Sequence, residues 1–286
     1  MPLYISRMGL DGAPSITFAD AGIQRVIFRL PPTVRPDLGS VTAFSLHKAG
    51  SVLLNNIVRD LCDHIGLAYV SIPQKCFQVG LPLNQLPPTA SQVFLNKGYC
   101  YGGFRFLPTN FEIPILAGSK PILLVRDPRD RIVSHYYSMR DSHPEPGSQL
   151  KSVQSSLVNR PKARSLNIDQ YAAEVAPTFL DVLGRYRKCL CEKYCTKIYR
   201  YEDVVYRKYA WVQNIVRHFG WDVPNDVSYA IAAKQDLIPT REDTSKHVRQ
   251  VHPGNFRKHL SRRTIAQLNE LFSHEMKFFG YDLQQD

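Results

Sequence analysis

The 286-residue sequence contains no apolar run of the roughly eighteen residues that a transmembrane helix requires. Its first fifteen residues, 1–15, also lack the basic segment and long apolar stretch of a secretory signal peptide. We therefore expect a cytoplasmic protein without a transmembrane segment.

Acidic residues are scarce relative to basic ones. The chain has 25 Asp and Glu against 36 Lys and Arg, a formal net charge of +11, with a pI near 9.4. Such an excess favours an anionic partner: nucleic acid, an acidic membrane or a phosphate-rich small molecule. The basic residues are dispersed rather than gathered in a tail, which favours a pocket. Because the sequence has no recognisable recognition helix or stacked-aromatic motif, we predict no nucleic-acid partner.

Metal-binding patterns are also lacking. Three of the six cysteines lie close together, at Cys189, Cys191 and Cys195. No His or Cys pair follows them at the spacing of a zinc site, so we predict reduced thiols and no metal.

The chain does contain alternating strand and helix patterns. Asp127 is expected to cap a helix that has Pro128 at its first position. Region 73–118 is rich in Pro, Gly and aromatic residues and is predicted to be mostly loops with short elements. Region 140–167 carries Pro, Ser and charged residues without periodicity and is predicted to be a mobile surface loop. The predicted strands cover 41–46, 67–71, 121–125 and 197–201, and the predicted helices cover 52–65, 129–139, 168–190, 203–219 and 262–279.

Strands that alternate with helices predict an α/β fold, with three α/β/α layers around a central parallel sheet. With 44% hydrophobic and 21% charged residues, the composition is that of a globular protein. We see no linker, and therefore predict one domain over 1–286, with residues 1–40 peripheral to it.

The turn after the first strand reads Leu46-His-Lys-Ala-Gly-Ser-Val-Leu53. A glycine-containing turn between a strand and a helix exposes backbone N–H groups to an anion, and Lys48 adds a full positive charge. The lysine precedes the glycine and the first glycine of a nucleotide-hydrolase phosphate loop is missing, which argues against ATP or GTP hydrolysis. A plain strand–helix turn with an exposed lysine is the alternative interpretation.

A second pattern follows the strand at 121–125. Arg126 stands at its end, and Ser134 follows eight residues later in the predicted helix. A guanidinium can bind a phosphate through two hydrogen bonds, and a hydroxyl in the helix can reach the same group. The alternative is a structural ion pair for Arg126.

These two patterns resemble those of the sulfotransferases that use 3′-phosphoadenosine-5′-phosphosulfate (PAPS). Lys48, Gly50 and Ser51 match the family's 5′-phosphosulfate loop, Pro-Lys-Ser-Gly-Thr-Thr-Trp, whereas His47, Val52 and Leu53 depart from it. Arg126 and Ser134 match the spacing of its 3′-phosphate motif.

Three further segments resemble the family in the same order along the chain. Tyr201, in Arg200-Tyr-Glu-Asp203, and Tyr229 match tyrosine or phenylalanine positions beside the adenine, although ordinary packing is the alternative for both. The segment 249–257 is similar to the C-terminal phosphate loop. The resemblance implies that Arg249, with Gln250 and Val251 after it, closes over the 3′-phosphate.

The resemblance implies a P-loop NTPase-like sulfotransferase fold and transfer of a sulfuryl group from PAPS to a hydroxyl or amine of a small-molecule or glycan acceptor, with 3′-phosphoadenosine-5′-phosphate (PAP) as product. Lys48 would stabilise the charge on the leaving phosphate, and the N–H groups of Ala49, Gly50, Ser51 and Val52 would hold the 5′-phosphate. Arg126, Ser134 and Arg249 would bind the 3′-phosphate.

The general base is harder to assign, because the family's histidine segment corresponds here to Phe104-Arg-Phe-Leu-Pro108. Glu112 and His47 are the candidate bases, and Arg105 is either a sulfonate ligand or a surface residue. His64 and His135 are interpreted as helix-face residues. The missing histidine leaves open a sulfotransferase-fold protein that binds a 3′-phosphonucleotide or another anionic partner without catalysis.

Overall fold

The computed structural model of the chain describes residues 3–4, 14–20, 23–142, 159–236 and 251–283. Its N-terminal part is an antiparallel sheet of β1 (Leu3–Tyr4), β2 (Ser15–Asp20) and β3 (Ile23–Arg29). Ile16 of β2 and Phe28 of β3 are buried in the main hydrophobic core. These side chains pack the two strands onto that core, and the peripheral position of the N-terminal residues as a whole stays a prediction.

Five parallel strands form the central sheet: β4 (Val41–Ser45), β5 (Ala68–Val70), β6 (Tyr99–Phe104), β7 (Ile122–Val125) and β8 (Lys197–Arg200). Their order across the sheet is β5-β6-β4-β7-β8, and all four neighbouring pairs are parallel.

Ten α-helices lie in the described part of the chain. They are α1 (Ser51–Ile65), α2 (Ile72–Val79), α3 (Pro128–Tyr137), α4 (Asn159–Ser165), α5 (Ile168–Tyr186), α6 (Tyr201–Val204), α7 (Lys208–Phe219), α8 (Asn225–Lys234), α9 (Phe256–His259) and α10 (Arg262–Phe278). No helix among these is both long and apolar enough to pass through a bilayer.

Helices cover both faces of the sheet. Along β7, Ile122 and Leu124 pack in one core with α1, α7 and α8, whereas Leu123 and Val125 pack in the other with α3, α5 and α10. Burial on both faces explains why β7 is apolar throughout rather than alternating. The predicted three-layer α/β/α arrangement with a central parallel sheet is confirmed.

The order of the strands identifies where a ligand can bind. From β4 the chain passes through α1 to β5, which is the strand at one edge of the sheet. From β7 it passes to β8, which is the strand at the opposite edge. A crevice opens at such a reversal, beyond the carboxyl ends of the strands. The segments that leave β4 and β7 at this edge begin with Leu46 and Arg126, and the N–H of Leu46 donates to the Leu124 carbonyl at 3.0 Å.

Several predicted elements are corrected by the structure. The region 73–118 contains β6, which is the neighbour of β4 rather than part of a loop. Helix α4 lies within the predicted loop 140–167, of which residues 143–158 are outside the described part of the chain. The helix predicted at 203–219 is divided into α6 and α7, and the one predicted at 168–190 ends at Tyr186 and continues as a π-helical turn.

Candidate functional site

The turn between β4 and α1 has the backbone geometry of an anion cradle. Lys48 has φ of 65°, a left-handed conformation that is uncommon for a residue with a side chain, and Gly50 has φ of 90°. Helix α1 begins directly after Gly50, with no side-chain cap and no acidic residue in its first turn. The N–H groups of that turn therefore have no partner within the helix and carry the positive end of its dipole.

The N–H of Ala49 is used differently. It donates to the Leu46 carbonyl at 3.1 Å and closes the turn around His47 and Lys48. Because the Ala49 N–H is already bonded within the turn, it is not free to bind an anion. The predicted anion donors therefore start with the N–H of Gly50.

Tyr201 packs against this cradle from the end of β8. A β-carbon at Gly50 would lie 2.9 Å from Cδ2 of the Tyr201 ring, so the ring occupies the space that a larger residue would need. The guanidinium carbon of Arg126 lies 4.5 Å from the centre of the same ring. The Tyr201 hydroxyl donates to the Val251 carbonyl at 3.0 Å, and burial raises the pKa of Tyr201 to about 12.

One buried ring thus contacts three distant segments: the turn after β4, the end of β7 and the segment that includes Val251. The contacts bring the turn with Lys48 and the end of β7 with Arg126 to the same edge of the sheet.

Arg126 is buried and forms an ion pair with Asp130, with Nη2 3.5 Å from Oδ2. Asp130 also accepts hydrogen bonds from the N–H groups of Gly254 (2.8 Å) and Phe256 (2.9 Å). The carboxylate therefore connects α3 to the C-terminal segment. Within the described residues, Nε of Arg126 has no hydrogen-bond partner. A buried guanidinium donor of this kind is suited to an anionic ligand, because leaving it unbonded is costly.

Two arginines of α3 also contact other parts of the protein, although Nη1 of Arg131, like Nε of Arg126, has no hydrogen-bond partner among the described residues. Arg129 is paired with Asp127 and lies 4.1 Å above the Phe256 ring. Arg131 is only 1% exposed, and its Nε donates to the His47 carbonyl at 2.9 Å. Burial lowers the pKa of Arg131 to about 10.

A buried glutamate orients the turn that carries Arg126. Glu202 accepts the N–H of Asp127 at 2.9 Å through Oε1 and the hydroxyl of Tyr281 at 3.0 Å through Oε2. Burial raises the pKa of Glu202. Asp127 in turn caps α3 by accepting the N–H of Arg129, as the sequence predicts.

With this geometry established, the chain can be compared with known proteins. No protein-family profile and no curated protein sequence matches it. Among solved structures, a mouse sulfotransferase in complex with PAP aligns over 84% of this chain and 85% of the mouse chain, with a TM-score of 0.54 and 14% identity.

The chain has the sulfotransferase fold.

Other matches are weaker. A retinol dehydratase in complex with androsterone and inactive cofactor PAP aligns over 97% of this chain and 93% of its own, with a TM-score of 0.48 and 13% identity. A sulfotransferase from Alicyclobacillus acidocaldarius aligns over 85% of this chain and 96% of its own, with a TM-score of 0.35 and 15% identity.

The remaining predicted nucleotide residues occupy different places in this sulfotransferase fold. Ser134 is half-buried on α3, two turns after Arg126. Ser51 is buried at the first position of α1, and Val52 beside it is exposed. Arg249 and Gln250 lie outside the described residues.

Tyr229 is set apart from the others. It is 64% exposed on α8, and its ring neighbour in the described chain is Tyr209 of α7, edge-on at 5.8 Å. The structure does not bring it to Tyr201, so its role beside adenine stays a prediction.

The candidates for acid–base chemistry are also separated. Glu112 is exposed in the loop after β6. Arg105 is half-buried, and burial lowers its pKa. Phe106, at the position where the resemblance expects a histidine, is 49% exposed, and its ring centre lies 6.2 Å from that of His47.

His64 and His135 both lie on helices, α1 and α3, as the sequence indicates. His64 is exposed, whereas His135 is only 5% exposed. Its Nδ1 is hydrogen-bonded to the Tyr171 hydroxyl at 2.7 Å, and its ring lies edge-on to His47 with centres 5.3 Å apart. Sequence reasoning missed this cluster because its members are far apart in the sequence, in the turn after β4, in α3 and in α5.

The cysteines and other metal-ligating side chains are dispersed. Cys189 and Cys195 are exposed, Cys191 is half-buried, and all six cysteines are free thiols. In the described ranges, no three His, Cys, Asp or Glu side chains are arranged to hold a metal ion.

Proposed function

We propose that this protein transfers a sulfuryl group from PAPS to a hydroxyl or amine of a small-molecule or glycan acceptor. The observation that carries the proposal is the packing of Tyr201 between Gly50 and Arg126. It supports two anion-binding positions at one crevice, as a nucleotide with phosphates at both ends of its ribose requires.

The residues at the crevice suit PAPS. The amides of Gly50, Ser51 and Val52 at the start of α1 are available to a 5′-phosphate, and the absence of a side chain at Gly50 lets the Tyr201 ring pack against this turn. Arg126, with an Nε lacking a partner in the described chain, is suited to the 3′-phosphate, and Ser134 and Arg249 are assigned to the same group.

Lys48 supplies the charge that the transfer needs. When the sulfur–oxygen bond breaks, negative charge develops on the bridging oxygen of the 5′-phosphate. A lysine held in the left-handed conformation beside the first turn of α1 can meet that oxygen, and a preoriented cation lowers the barrier more than a mobile one.

The decisive experiment compares Lys48→Ala with Lys193→Ala. Lys193 is exposed and precedes β8, at the opposite edge of the sheet from the proposed site. We expect PAP to raise the melting temperature of all three proteins, and the Lys48 variant alone to lose about 100-fold or more in transfer of labelled sulfate from PAPS to an acceptor panel. Full activity in a folded Lys48→Ala protein would remove Lys48 from the mechanism.

Nucleotide binding without transfer is the second candidate, and Phe106 favours it because this position has no histidine. A wild-type protein that is stabilised by PAP and yet modifies no acceptor would establish this alternative. A protein that PAP does not stabilise would contradict both candidates. A cytoplasmic location stays a prediction from the sequence.

A further inference from the structure

A polar cluster lies beside the turn that carries Lys48, and the nucleotide contacts above leave it unexplained. It consists of His47, His135 and Tyr171 and is called the histidine cluster below. The two imidazole rings are edge-on, with an interplanar angle of 81°, and Tyr171 approaches His135 from α5.

The surroundings of the histidine cluster are mostly aromatic. Phe179 packs edge-on against His135 at 5.3 Å, and Tyr171 lies nearly parallel to it at 5.9 Å. On the outer side, His47 is half-buried and faces the exposed Phe106. The buried guanidinium of Arg131 lies over the Phe179 ring at 4.8 Å, so the two imidazoles stand beside one buried cation among aromatic rings. Buried polar groups of this kind require hydrogen-bond partners.

His47 is also fixed relative to the proposed reaction centre. It is the residue before Lys48, and its carbonyl accepts a hydrogen bond from the buried Arg131. Its backbone is thus constrained on both sides: by Arg131 and by the turn that Ala49 closes. A side chain at this position lies at the mouth of the crevice, beside the place proposed for the 5′-phosphosulfate.

We propose that His47 is the general base of the sulfuryl transfer, and that His135 and Tyr171 are positioning residues that orient its imidazole. The inference rests on the proposed function. It assigns the role of general base to His47 of the phosphate loop, because the segment 104–108 has no histidine.

In this step, the imidazole of His47 takes the proton of the acceptor hydroxyl as the acceptor oxygen forms its bond to sulfur. The bond between sulfur and the bridging oxygen of PAPS breaks, and its electron pair stays on the 5′-phosphate beside Lys48. The products are the sulfate ester, PAP and the imidazolium of His47, which releases its proton to solvent. No further reactant is required.

Tyr171 accounts for the orientation of His135. Burial raises the pKa of Tyr171, so it is a neutral phenol that can donate its proton to Nδ1 of His135. The proton of His135 is then carried on Nε2, since the partner of one ring nitrogen determines the tautomer. The His135 ring packs edge-on against the His47 ring, and we assign the orientation of His47 to this contact.

The test compares His47→Asn, Tyr171→Phe and the exposed control His64→Asn. An acceptor of high pKa, benzyl alcohol, is compared with 4-nitrophenol, which is largely ionised at about pH 8 and needs a base much less. We expect His47→Asn to lower kcat about 100-fold or more with benzyl alcohol and less than about 10-fold with 4-nitrophenol, with PAP affinity within about 2-fold of wild type. Added imidazole should restore part of the kcat of His47→Ala.

Tyr171→Phe removes one hydroxyl, so it should lower kcat with benzyl alcohol about 3- to 10-fold and leave KM and PAP affinity unchanged. His64→Asn should behave as wild type. If the His47 variants lose activity equally with both acceptors and imidazole does not help, His47 has only a structural role and the inference is wrong. If the His47 variants keep full activity while wild type transfers sulfate, the inference about His47 is wrong and the proposed function stands. If wild type transfers nothing, the inference and the proposed function both fail.

Discussion

At the scale of single residues, the close contact between Gly50 and Tyr201 joins the phosphate loop to the rest of the site. Any side chain at position 50 meets two costs. The φ of 90° disfavours every residue except glycine, and a β-carbon would lie 2.9 Å from the tyrosine ring. Both costs act at the point where the first amides of α1 are exposed.

We therefore expect Gly50→Ala to lower PAP affinity by about 10-fold or more and to destabilise the fold by about 1–3 kcal/mol. Gly220→Ala is the matched control: its φ is 69°, but nothing lies within 4 Å of the added β-carbon. That variant should lose a similar or smaller amount of stability and keep PAP affinity. Titration calorimetry and urea unfolding measure the two quantities, and equal affinity in both variants would show that the contact with Tyr201 is irrelevant to binding.

Arg126 allows a test of which phosphate it binds. Arg126→Lys keeps the charge beside Asp130 but cannot form two parallel hydrogen bonds. The predicted result is a loss of about 10- to 100-fold in PAP affinity, with little change for adenosine 5′-phosphate, which has no 3′-phosphate. An equal loss for both nucleotides would mean that Arg126 acts through the fold rather than through the 3′-phosphate.

At the scale of elements, Glu202 joins the start of α6 to the turn between β7 and α3. Because burial raises its pKa, the folded protein binds the proton of Glu202 more tightly than the unfolded chain does. The resulting stabilisation is complete below the pKa of an unfolded glutamate and is lost as the pH rises through the folded pKa.

Glu202→Gln removes this titration while keeping an oxygen for the Asp127 N–H. The unfolding free energy of wild type minus that of the variant should decrease from about pH 4 to about pH 7. Urea unfolding across this range measures the difference. A difference that grows with pH would contradict the sign assigned here.

The elements also show which features were readable from the sequence. The strand 122–125 and the cap of α3 were predicted correctly because their signals are local: an apolar run followed by Arg126-Asp-Pro. Strand β6 was missed because Gly102 and Gly103 lower its strand propensity. The structure supplies the reason for them: a β-carbon at Gly102 would lie 2.6 Å from the Tyr69 hydroxyl, and one at Gly103 would lie 2.1 Å from Oγ of Ser71.

The site follows the same rule. Lys48, Gly50 and Arg126 each lie in a short motif with fixed spacing, so the sequence predicts them. The histidine cluster depends on α3 and α5 packing beside the turn after β4, and the hydrogen bonds of Asp130 with Gly254 and Phe256 depend on the C-terminal segment folding back onto α3. Contacts between residues far apart in the sequence leave no local sequence pattern from which they could be predicted.

At the scale of the whole molecule, the topology of the parallel sheet determines where these segments meet. The carboxyl ends of β4, β7 and β8 lie at one edge, and Tyr201 and Asp130 connect that edge to Val251, Gly254 and Phe256. A ligand at the crevice should thus stabilise segments that are widely separated along the chain. This coupling distinguishes one shared site from several independent anion sites.

Hydrogen exchange measures that coupling directly. At a PAP concentration of about 100 times Kd, amides in 46–53, 126–134 and 251–256 should exchange up to about 100-fold more slowly, since a ligand that must leave before opening adds its binding free energy to the opening cost. Adenosine 5′-phosphate should protect 46–53 and leave 126–134 nearly unchanged, because it lacks the group assigned to Arg126. Protection by PAP that is confined to one of the three segments would mean that they do not share one nucleotide, and the proposed site would then have to be divided.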